Sequence, residues 1–469
     1  MIILRNIVSW SSPDILDIPF KIIIYFNLIN ALDKFEFGLL NIAMMIFSYQ
    51  AIAQFGVVDW LLFELPRRYS LKQKIEVLIS QSYTFVFINQ IIILMLVFIC
   101  TLAFGENSLF FQFSCMAYIV HTIFYNIYLH KKVYLRFNHK FSHLLNVQLI
   151  YVILKFILQF CALKFYGIYL FLIVEMVIFL IPIYLFRFNV SFRLFDSNWK
   201  KNYKFLFFNG LPFFAVIVIS TILGNLDRWY IVGVFGVEKF ATYSVGVFII
   251  TGVMIFPGKV LTIFVQYMRE MYTLDKNTSA NLSRSFSIFN ILIYLLFLTI
   301  IFFYWGKSYI TIFLPNYSDI IPLVDIFLLS AFLKFGVSLI SNLLYLIDQR
   351  AYVVKIQILT LLAYVIALSL NLYFNLDINY VILSICFVSL IQIFISILML
   401  FKFERIIEKI ELIKFIFLII MPTIYFSVSL FTGNHIPIFI STISITFVFF
   451  VKLRITWNNF IHIATRKFI

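Results

Sequence analysis

The chain has 469 residues, of which 63% are apolar and only 12% are charged, and its formal net charge is +15. Soluble domains are about 45–50% apolar, so this composition excludes a soluble enzyme, a nucleic-acid-binding domain and a disordered chain. A membrane helix needs about 20 apolar residues, and fourteen such spans fit the length with little left for an extramembrane catalytic domain. The composition therefore indicates an all-α, polytopic membrane protein.

Hydrophobic runs bounded by polar segments predict the transmembrane helices in chain order. Asp14, Asp17 and Lys21 interrupt the first run, so it does not resemble a cleavable signal, and we expect this span to be retained. The fourteen predicted spans cover residues 12–32, 37–63, 79–104, 108–130, 142–163, 167–187, 206–235, 240–267, 285–305, 321–347, 355–374, 379–401, 412–432 and 436–453.

The distribution of Lys and Arg predicts the orientation of these spans. With the N-terminus inside, twenty-seven of the 36 Lys and Arg residues fall in inside loops or the adjoining span edges. The outside loops contain only Lys34, Lys164, Lys239 and Lys307. Because cytoplasmic loops are enriched in cations, this bias predicts that both termini are cytoplasmic. Topology therefore accounts for most of the net charge, and we expect no nucleic-acid partner.

Five cations remain inside the predicted spans, namely Lys21, Lys155, Arg228, Lys259 and Lys334. Each would cost about 2.5–3.5 kcal/mol at the centre of a lipid-facing helix, so we expect them to face a hydrated interior or to pair with acids. Away from the extreme span ends, the acids available to pair with them are Asp17, Asp59, Glu175, Asp227 and Asp325, with Glu64 close to a span end. Of these, Asp17, Asp227 and Asp325 are the candidates for pairing or for binding a coupling ion. An interior lined by these cations would be positively charged and would suit an anionic ligand. A pyrophosphate group, for example, would accept charge-assisted hydrogen bonds from the cations.

The local sequence around these charges leaves several arrangements open. Asp17 precedes Lys21 by four residues, the favourable order for a helical ion pair, which is compatible with a purely structural role. Asp227 and Arg228 are neighbours in sequence and do not face each other on a helix. Lys259 follows Pro257–Gly258, which predicts a helix break of the kind tolerated beside a cavity. Lys334 has no acid three or four residues away, and Lys155 could snorkel to the interface.

The cysteines and histidines do not indicate a metal site. The four cysteines lie in apolar segments without CxxC spacing, as expected for packing thiols. His130, His139 and His143 lie in or beside one inside loop, and their spacing and basic surroundings favour solvated loop residues over metal ligands. We therefore expect no metal, no cofactor and no catalytic residue.

A weak internal repeat predicts the domain organisation. Leu32-Asp33-Lys34-Phe35 and Val237-Glu238-Lys239-Phe240 each precede a long apolar helix, and each preceding span has proline near its beginning. This similarity predicts two six-helix bundles, residues 1–204 and 205–402, related by an axis normal to the membrane. Residues 403–469 would add two helices and a cytoplasmic tail.

Short motifs spread over most of the chain resemble those of one transporter family. They are Phe35-Glu36-Phe37-Gly38-Leu39, Phe55-Gly56 with Arg67-Arg68, Gly210-Leu211-Pro212 with Leu226-Asp227-Arg228, Thr242-Tyr243-Ser244-Val245, Leu314-Pro315-Asn316-Tyr317 and Ile347-Asp348-Gln349-Arg350. In order and spacing they resemble the polysaccharide-export flippases of the multidrug/oligosaccharidyl-lipid/polysaccharide (MOP) superfamily, especially Wzx-type O-antigen flippases. Pro315 stands where glycine is common in that family.

The resemblance implies a V-shaped pair of bundles around a central cationic cavity in the bacterial cytoplasmic (inner) membrane. Members move undecaprenyl-pyrophosphate-linked oligosaccharides to the periplasmic leaflet during O-antigen and lipopolysaccharide biosynthesis. By position, Arg228 and Lys259 would border the cavity and Lys21 would lie beside its lateral portal. The implied partners are the lipid-linked oligosaccharide, membrane lipids and a polysaccharide polymerase.

Two alternative functions stay open at this point. A membrane glycosyltransferase or O-antigen polymerase would need a substantial outer loop with catalytic charges, and the longest outer loop, about 306–320, contains little beyond Lys307 and Asp319. A small-molecule antiporter of the same superfamily would export cationic drugs, which a cationic cavity should repel.

Overall fold

The computed structural model describes residues 2–61, 64, 75–104, 108–137, 141–186, 199–274, 289, 292–293, 295–296, 298–301, 303–346 and 349–401. Within these ranges all regular secondary structure is helical. Nine helical stretches there are long and apolar enough to cross a membrane. The fold is thus all-α and multi-pass, as predicted. The predicted spans 412–432 and 436–453, together with the C-terminal tail, lie outside the described residues.

The helices follow the predicted order. The first part of the chain contains α1 (Ile2–Ala31), α2 (Lys34–Ser48), a 3-10 helix (Tyr49–Gln54), α3 (Ile75–Phe104), α4 (Leu109–Phe137), α5 (Phe141–Cys161), a π-helix (Ala162–Tyr166), α6 (Ile168–Val177), α7 (Leu180–Leu185) and α8 (Trp199–Phe235). The second part contains α9 (Val237–Leu274), a 3-10 helix (Lys307–Tyr309), α10 (Ile310–Phe313), a 3-10 helix (Pro315–Ile320), α11 (Ile321–Leu346), α12 (Arg350–Tyr373) and α13 (Ile378–Phe401).

The chain divides into two compact units. Ser12–Ala241 form one, called here the N-terminal unit, and Met1–Ser11 with Thr242–Ile469 form the C-terminal unit. In the N-terminal unit, α4 packs against α2, α3, α5, α6 and α7, and α8 packs against α2, α3 and the first 3-10 helix. In the C-terminal unit, α11, α12 and α13 pack against one another. The bundle boundaries at residues 204 and 402 stay a prediction.

The predicted span 37–63 is not one continuous helix. After the 3-10 helix, Phe55 and Gly56 adopt left-handed backbone conformations with φ of 48° and 68°, and a helix begins again at residue 57. Glycine tolerates this conformation at no steric cost, which explains why the turn falls here. The residues after the turn, Val57 and Trp60 among them, are buried in one apolar cluster with side chains from α3 and α8.

The predicted span 167–187 is also divided, between α6 and α7. Pro182 lacks a backbone N–H, so it cannot donate to the carbonyl of Ile178 as a helix requires. That carbonyl instead accepts a shorter-range bond from Ile181, N···O 3.3 Å. The α-helix therefore stops at Val177 and resumes at Leu180.

The break predicted at Pro257–Gly258 does not occur, because α9 continues as one helix from Val237 to Leu274. A proline removes one hydrogen bond from a helix and obstructs one preceding carbonyl, whereas the remaining bonds on both sides can persist. Lys259 is therefore presented from a continuous helix.

Candidate functional site

The charges predicted to form the site are divided between the two units. The N-terminal unit contains Asp17, Lys21, Lys155, Asp227 and Arg228, and the C-terminal unit contains Lys259, Asp325 and Lys334. A single chamber shared by Arg228 and Lys259 stays a prediction.

Asp17 and Lys21 form an ion pair on α1. The Lys21 ammonium lies 2.6 Å from a carboxylate oxygen of Asp17, and the two side chains are 51% and 17% exposed. The acid-first spacing of four residues places both groups on one face of the helix, as the sequence indicates. The pair is charge-neutral, and half of the lysine side chain stays accessible.

Lys155 lies close to this part of α1, on the helix α5. Phe20 and Phe156, each next to one of these lysines in sequence, stack with ring centroids 4.3 Å apart and thereby join α1 to α5. The Lys155 ammonium is 5.9 Å from the ring centroid of Tyr151. An aromatic face stabilises a cation through its quadrupole, so Lys155 has a favourable partner without snorkelling.

Asp227 and Arg228 lie on a stretch of α8 that is fastened to the end of α2. Asn225 donates a hydrogen bond to the Ser48 hydroxyl (2.9 Å), and Trp229 donates from its indole to the Tyr49 hydroxyl (2.9 Å). Asp227 is buried and Arg228 is half-buried. The two flanking hydrogen bonds hold this turn of α8 against the end of α2.

In the C-terminal unit, Asp325 pairs with a lysine that we had assigned to an outside loop. The Lys307 ammonium lies 3.0 Å from both carboxylate oxygens of Asp325 and 4.3 Å from the ring centroid of Tyr304. Asp325 is thereby paired with Lys307 near the beginning of α11. Lys334, further along the same helix, is half-buried near the thiol of Cys386 on α13, and Lys259 on α9 is exposed.

His130 is not a solvated loop residue, contrary to our interpretation of the sequence. Helix α4 continues to Phe137, well beyond the predicted end at residue 130, so His130 lies inside the helix and is buried. Its ring nitrogen Nδ1 is 2.9 Å from the carbonyl oxygen of Asn126 in the preceding turn. His143 is half-buried, and His139 lies outside the described residues. Among the described residues, no three His, Cys, Asp or Glu side chains cluster as metal ligands would.

The sequence indicated Glu175 as an in-span acid in the N-terminal unit, but its partner, His121, was not predicted. The ring nitrogen Nδ1 of His121 on α4 is 2.9 Å from the backbone carbonyl oxygen of Glu175 on α6 and 3.6 Å from its carboxylate. The two side chains are 19% and 13% exposed. Both residues fall inside apolar spans, which was the available signal, but 54 residues separate them and only the packing of α4 on α6 brings them together.

Comparison with known proteins identifies the class of fold. No protein-family model and no curated protein sequence matches the chain. An outward-facing multidrug resistance MATE family transporter of the MOP superfamily superposes with a TM-score of 0.62 at 13% identity, covering 86% of this chain and 95% of its own. A MOP superfamily transporter from Pyrococcus furiosus gives a TM-score of 0.60, with 13% identity and coverage of 86% and 95%. A mutant of the MATE transporter VcmN from Vibrio cholerae gives 0.57, with 14% identity and coverage of 86% and 97%.

These likenesses define the fold of the chain as that of the MOP superfamily transporters, an all-helical multi-pass membrane fold. The proteins it resembles are transporters by name, and the superpositions extend over nearly the whole length of each of them.

Proposed function

We propose that this protein is a flippase that moves an undecaprenyl-pyrophosphate-linked oligosaccharide from the cytoplasmic to the periplasmic leaflet by alternating access. The barrier to spontaneous flipping is the transfer of a charged, hydrated head group through about 30 Å of hydrocarbon. A cavity lined with cations, amides and water replaces the lost hydration, while the polyprenyl tail stays in lipid. No covalent bond is made or broken in this process.

The observation that carries the proposal is the identity of the ion-pair partners of two in-span acids. Asp17 is held by Lys21, and Asp325 is held by Lys307, which is not one of the five in-span cations. Two of the three candidate pairing acids are thus engaged locally, and the positive charge that Lys155, Arg228, Lys259 and Lys334 bring to the spans favours an anionic cargo.

The same fold supports more than one substrate class, which makes the charge of the interior the deciding feature. For the Pyrococcus furiosus transporter, a reversed polarity of the binding pocket is described as suggesting a different function within the superfamily. By the same physical argument, in-span cations favour a pyrophosphate over a cationic drug in this chain. Several separated cations also permit release, because no single contact holds the cargo too tightly.

A small-molecule antiporter is the second candidate function. It is supported by the description of a structural neighbour as a multidrug resistance transporter. The two functions differ in the sign of the cargo: the flippase requires the in-span cations, whereas export of a cationic compound would be hindered by them. An O-antigen polymerase or membrane glycosyltransferase is not favoured by a fold whose structural neighbours are transporters.

The test is a comparison of two cargoes in proteoliposomes that contain the full-length protein. One is a short oligosaccharide on undecaprenyl pyrophosphate, scored by its accessibility to a glycosidase added outside. The other is a cationic dye, scored by its release. We expect protein-dependent transfer of the glycolipid and no dye transport. Dye transport without glycolipid transfer would overturn the proposal in favour of the antiporter.

The proposal includes an orientation with both termini in the cytoplasm, in the inner membrane of a bacterium. It rests on the excess of Lys and Arg in alternate loops. A polysaccharide polymerase on the periplasmic side would consume the product and so favour net outward transfer by mass action. This partner is likewise part of the proposal.

A further inference from the structure

The contact between His121 and Glu175 fixes the tautomer of the histidine. Nδ1 of His121 lies 2.9 Å from the backbone carbonyl oxygen of Glu175, and a carbonyl oxygen only accepts hydrogen bonds. Nδ1 must therefore carry a hydrogen in both the neutral and the charged ring. The second nitrogen, Nε2, is the position at which the neutral ring binds a proton.

The backbone carbonyl of Glu175 is available to accept a hydrogen bond from His121 because helix α6 ends just after it. The last backbone bond of α6 runs from the Ile178 N–H to the carbonyl of Val174, 2.9 Å. The carbonyls of the final turn, including that of Glu175, have no partner within the helix. His121 supplies the missing donor from α4. The imidazole thus stabilises the interruption between α6 and α7 that Pro182 imposes.

The carboxylate of Glu175 is the other half of this arrangement. Its Oε2 is 3.6 Å from Nδ1 of His121, is buried, and accepts no hydrogen bond from the described residues. A buried carboxylate beside a neutral imidazole is an uncompensated negative charge within a membrane span, and that is costly. One proton shared by the pair, as imidazolium with carboxylate or as imidazole with carboxylic acid, leaves it neutral.

The other titratable groups around the pair come from the helices packed against it. Helix α4 itself contributes Tyr118 and Tyr125, whose rings lie 6.2 and 6.5 Å from that of His121. Helix α5 contributes Tyr151, with Lys155 beyond it, and α1 contributes Tyr25 and the mutually neutralised Asp17 and Lys21. Two further helices, α2 and α7, also pack against α4. The apolar ring of Phe47 on α2 stacks on Tyr118 near this site. The backbone carbonyl of Ile183 on α7 accepts a hydrogen bond from Lys131 of α4. Tyr83 of α3 contacts His130 instead, further along α4.

We infer that His121 and Glu175 form a proton-binding site in the N-terminal unit, in which one exchangeable proton controls the junction between α6 and α7. In the one-proton state the neutral pair holds α4 against the end of α6. Loss of the proton to water leaves the carboxylate charge uncompensated and favours separation or hydration of the junction. Proton binding is a property of the unit itself, whereas its coupling to cargo movement rests on the proposed function.

The proton site is tested without a transport assay. The full-length protein in lipid is titrated between about pH 5 and pH 9, a range that includes the ordinary titration of histidine. Infrared difference spectra report the carboxyl and imidazole bands, and ¹⁵N NMR of labelled histidine reports both ring nitrogens. We expect a proton-dependent difference band that disappears in both His121→Gln and Glu175→Gln. In the wild type, Nδ1 of His121 should stay protonated while Nε2 gains and loses the proton.

His130→Gln is the matched control, because His130 is a second buried histidine of α4 whose Nδ1 also faces a helix carbonyl, and within the part of the chain that the structure describes it forms no ion pair with a carboxylate. This variant should retain the difference band. The substitution His121→Gln keeps an N–H donor for the Glu175 carbonyl, so loss of the band there reflects loss of the proton rather than of the hydrogen bond. An unchanged band in His121→Gln and Glu175→Gln, or a His121 ring deprotonated at Nδ1, would overturn the inference. Either result stands whether or not the protein flips a glycolipid.

Discussion

The backbones of Gly56 and Gly210 cross in contact. A Cβ on Gly56 would overlap the carbonyl oxygen of Gly210, and a Cβ on Gly210 would overlap the carbonyl oxygen of Phe55. Gly56 also has a φ of 68°, which side chains rarely adopt. The left-handed turn after the first 3-10 helix is thus held directly against α8 at Gly210, two residues before Pro212. Small residues permit such close approach of helices in membranes.

Substitution of either glycine should therefore destabilise the N-terminal unit. We expect Gly56→Ala and Gly210→Ala each to cost at least about 1–3 kcal/mol, because the obstructing atoms belong to backbone and cannot move aside. The measurement is the unfolding temperature of the purified protein in detergent. Gly224→Ala, also on α8 but with open space around its Cβ, is the control and should be neutral or slightly stabilising. Equal stability of all three variants would contradict the crossing.

A second close approach occurs in the C-terminal unit, between Gly246 on α9 and the ring of Phe327 on α11. A Cβ on Gly246 would overlap three atoms of that fully buried ring. Gly246→Ala should be destabilising, and the double variant Gly246→Ala with Phe327→Leu should recover part of the loss, since the smaller side chain makes room. The test compares the unfolding temperatures of the wild type, the two single variants and the double variant. Strict additivity of the two substitutions would argue against contact between these residues.

The pair formed by Lys307 and Asp325 should respond asymmetrically to the loss of each partner. Lys307→Met leaves a largely buried carboxylate without its counter-ion, and we expect a cost of about 2 kcal/mol. Asp325→Asn should cost less, because the asparagine oxygen can still accept from Lys307 and the ammonium keeps its contact with the Tyr304 ring. A larger loss of unfolding temperature for Asp325→Asn than for Lys307→Met would refute this account.

Asp17 and Lys21 should contribute little to stability, because the lysine is half exposed. A helical pair of this kind is worth about 0.3–0.5 kcal/mol, so Asp17→Asn should change the unfolding temperature only slightly. If Lys21 contacts the cargo at the lateral portal, Lys21→Gln should slow glycolipid transfer while Lys21→Arg retains it. Equal transfer rates for both variants and the wild type would leave the pair with a structural role alone.

Within the described residues, the sequence predicted the helical class and the order of the helices well, because long apolar runs are local and strong signals. It did not predict the interruptions at Phe55–Gly56 and Ile178–Phe179, since an isolated glycine or proline can equally sit in a continuous helix, as Pro257 does. The partners of buried charges were the least predictable. The pairs Lys307–Asp325 and His121–Glu175 depend on packing between helices distant in sequence, and no spacing rule reports that packing.

The most direct test of the account is leaflet-resolved transfer of the pyrophosphate-linked oligosaccharide by Arg228→Gln and Lys259→Gln. Loss of one charge-assisted hydrogen bond should slow transfer about 10–100-fold in each variant, with insertion and abundance unchanged. Lys239→Gln is the control, because this lysine is exposed near the beginning of α9 and outside the predicted spans; it should transfer the glycolipid at the wild-type rate. Wild-type transfer by both Arg228→Gln and Lys259→Gln would contradict recognition of the cargo by in-span cations.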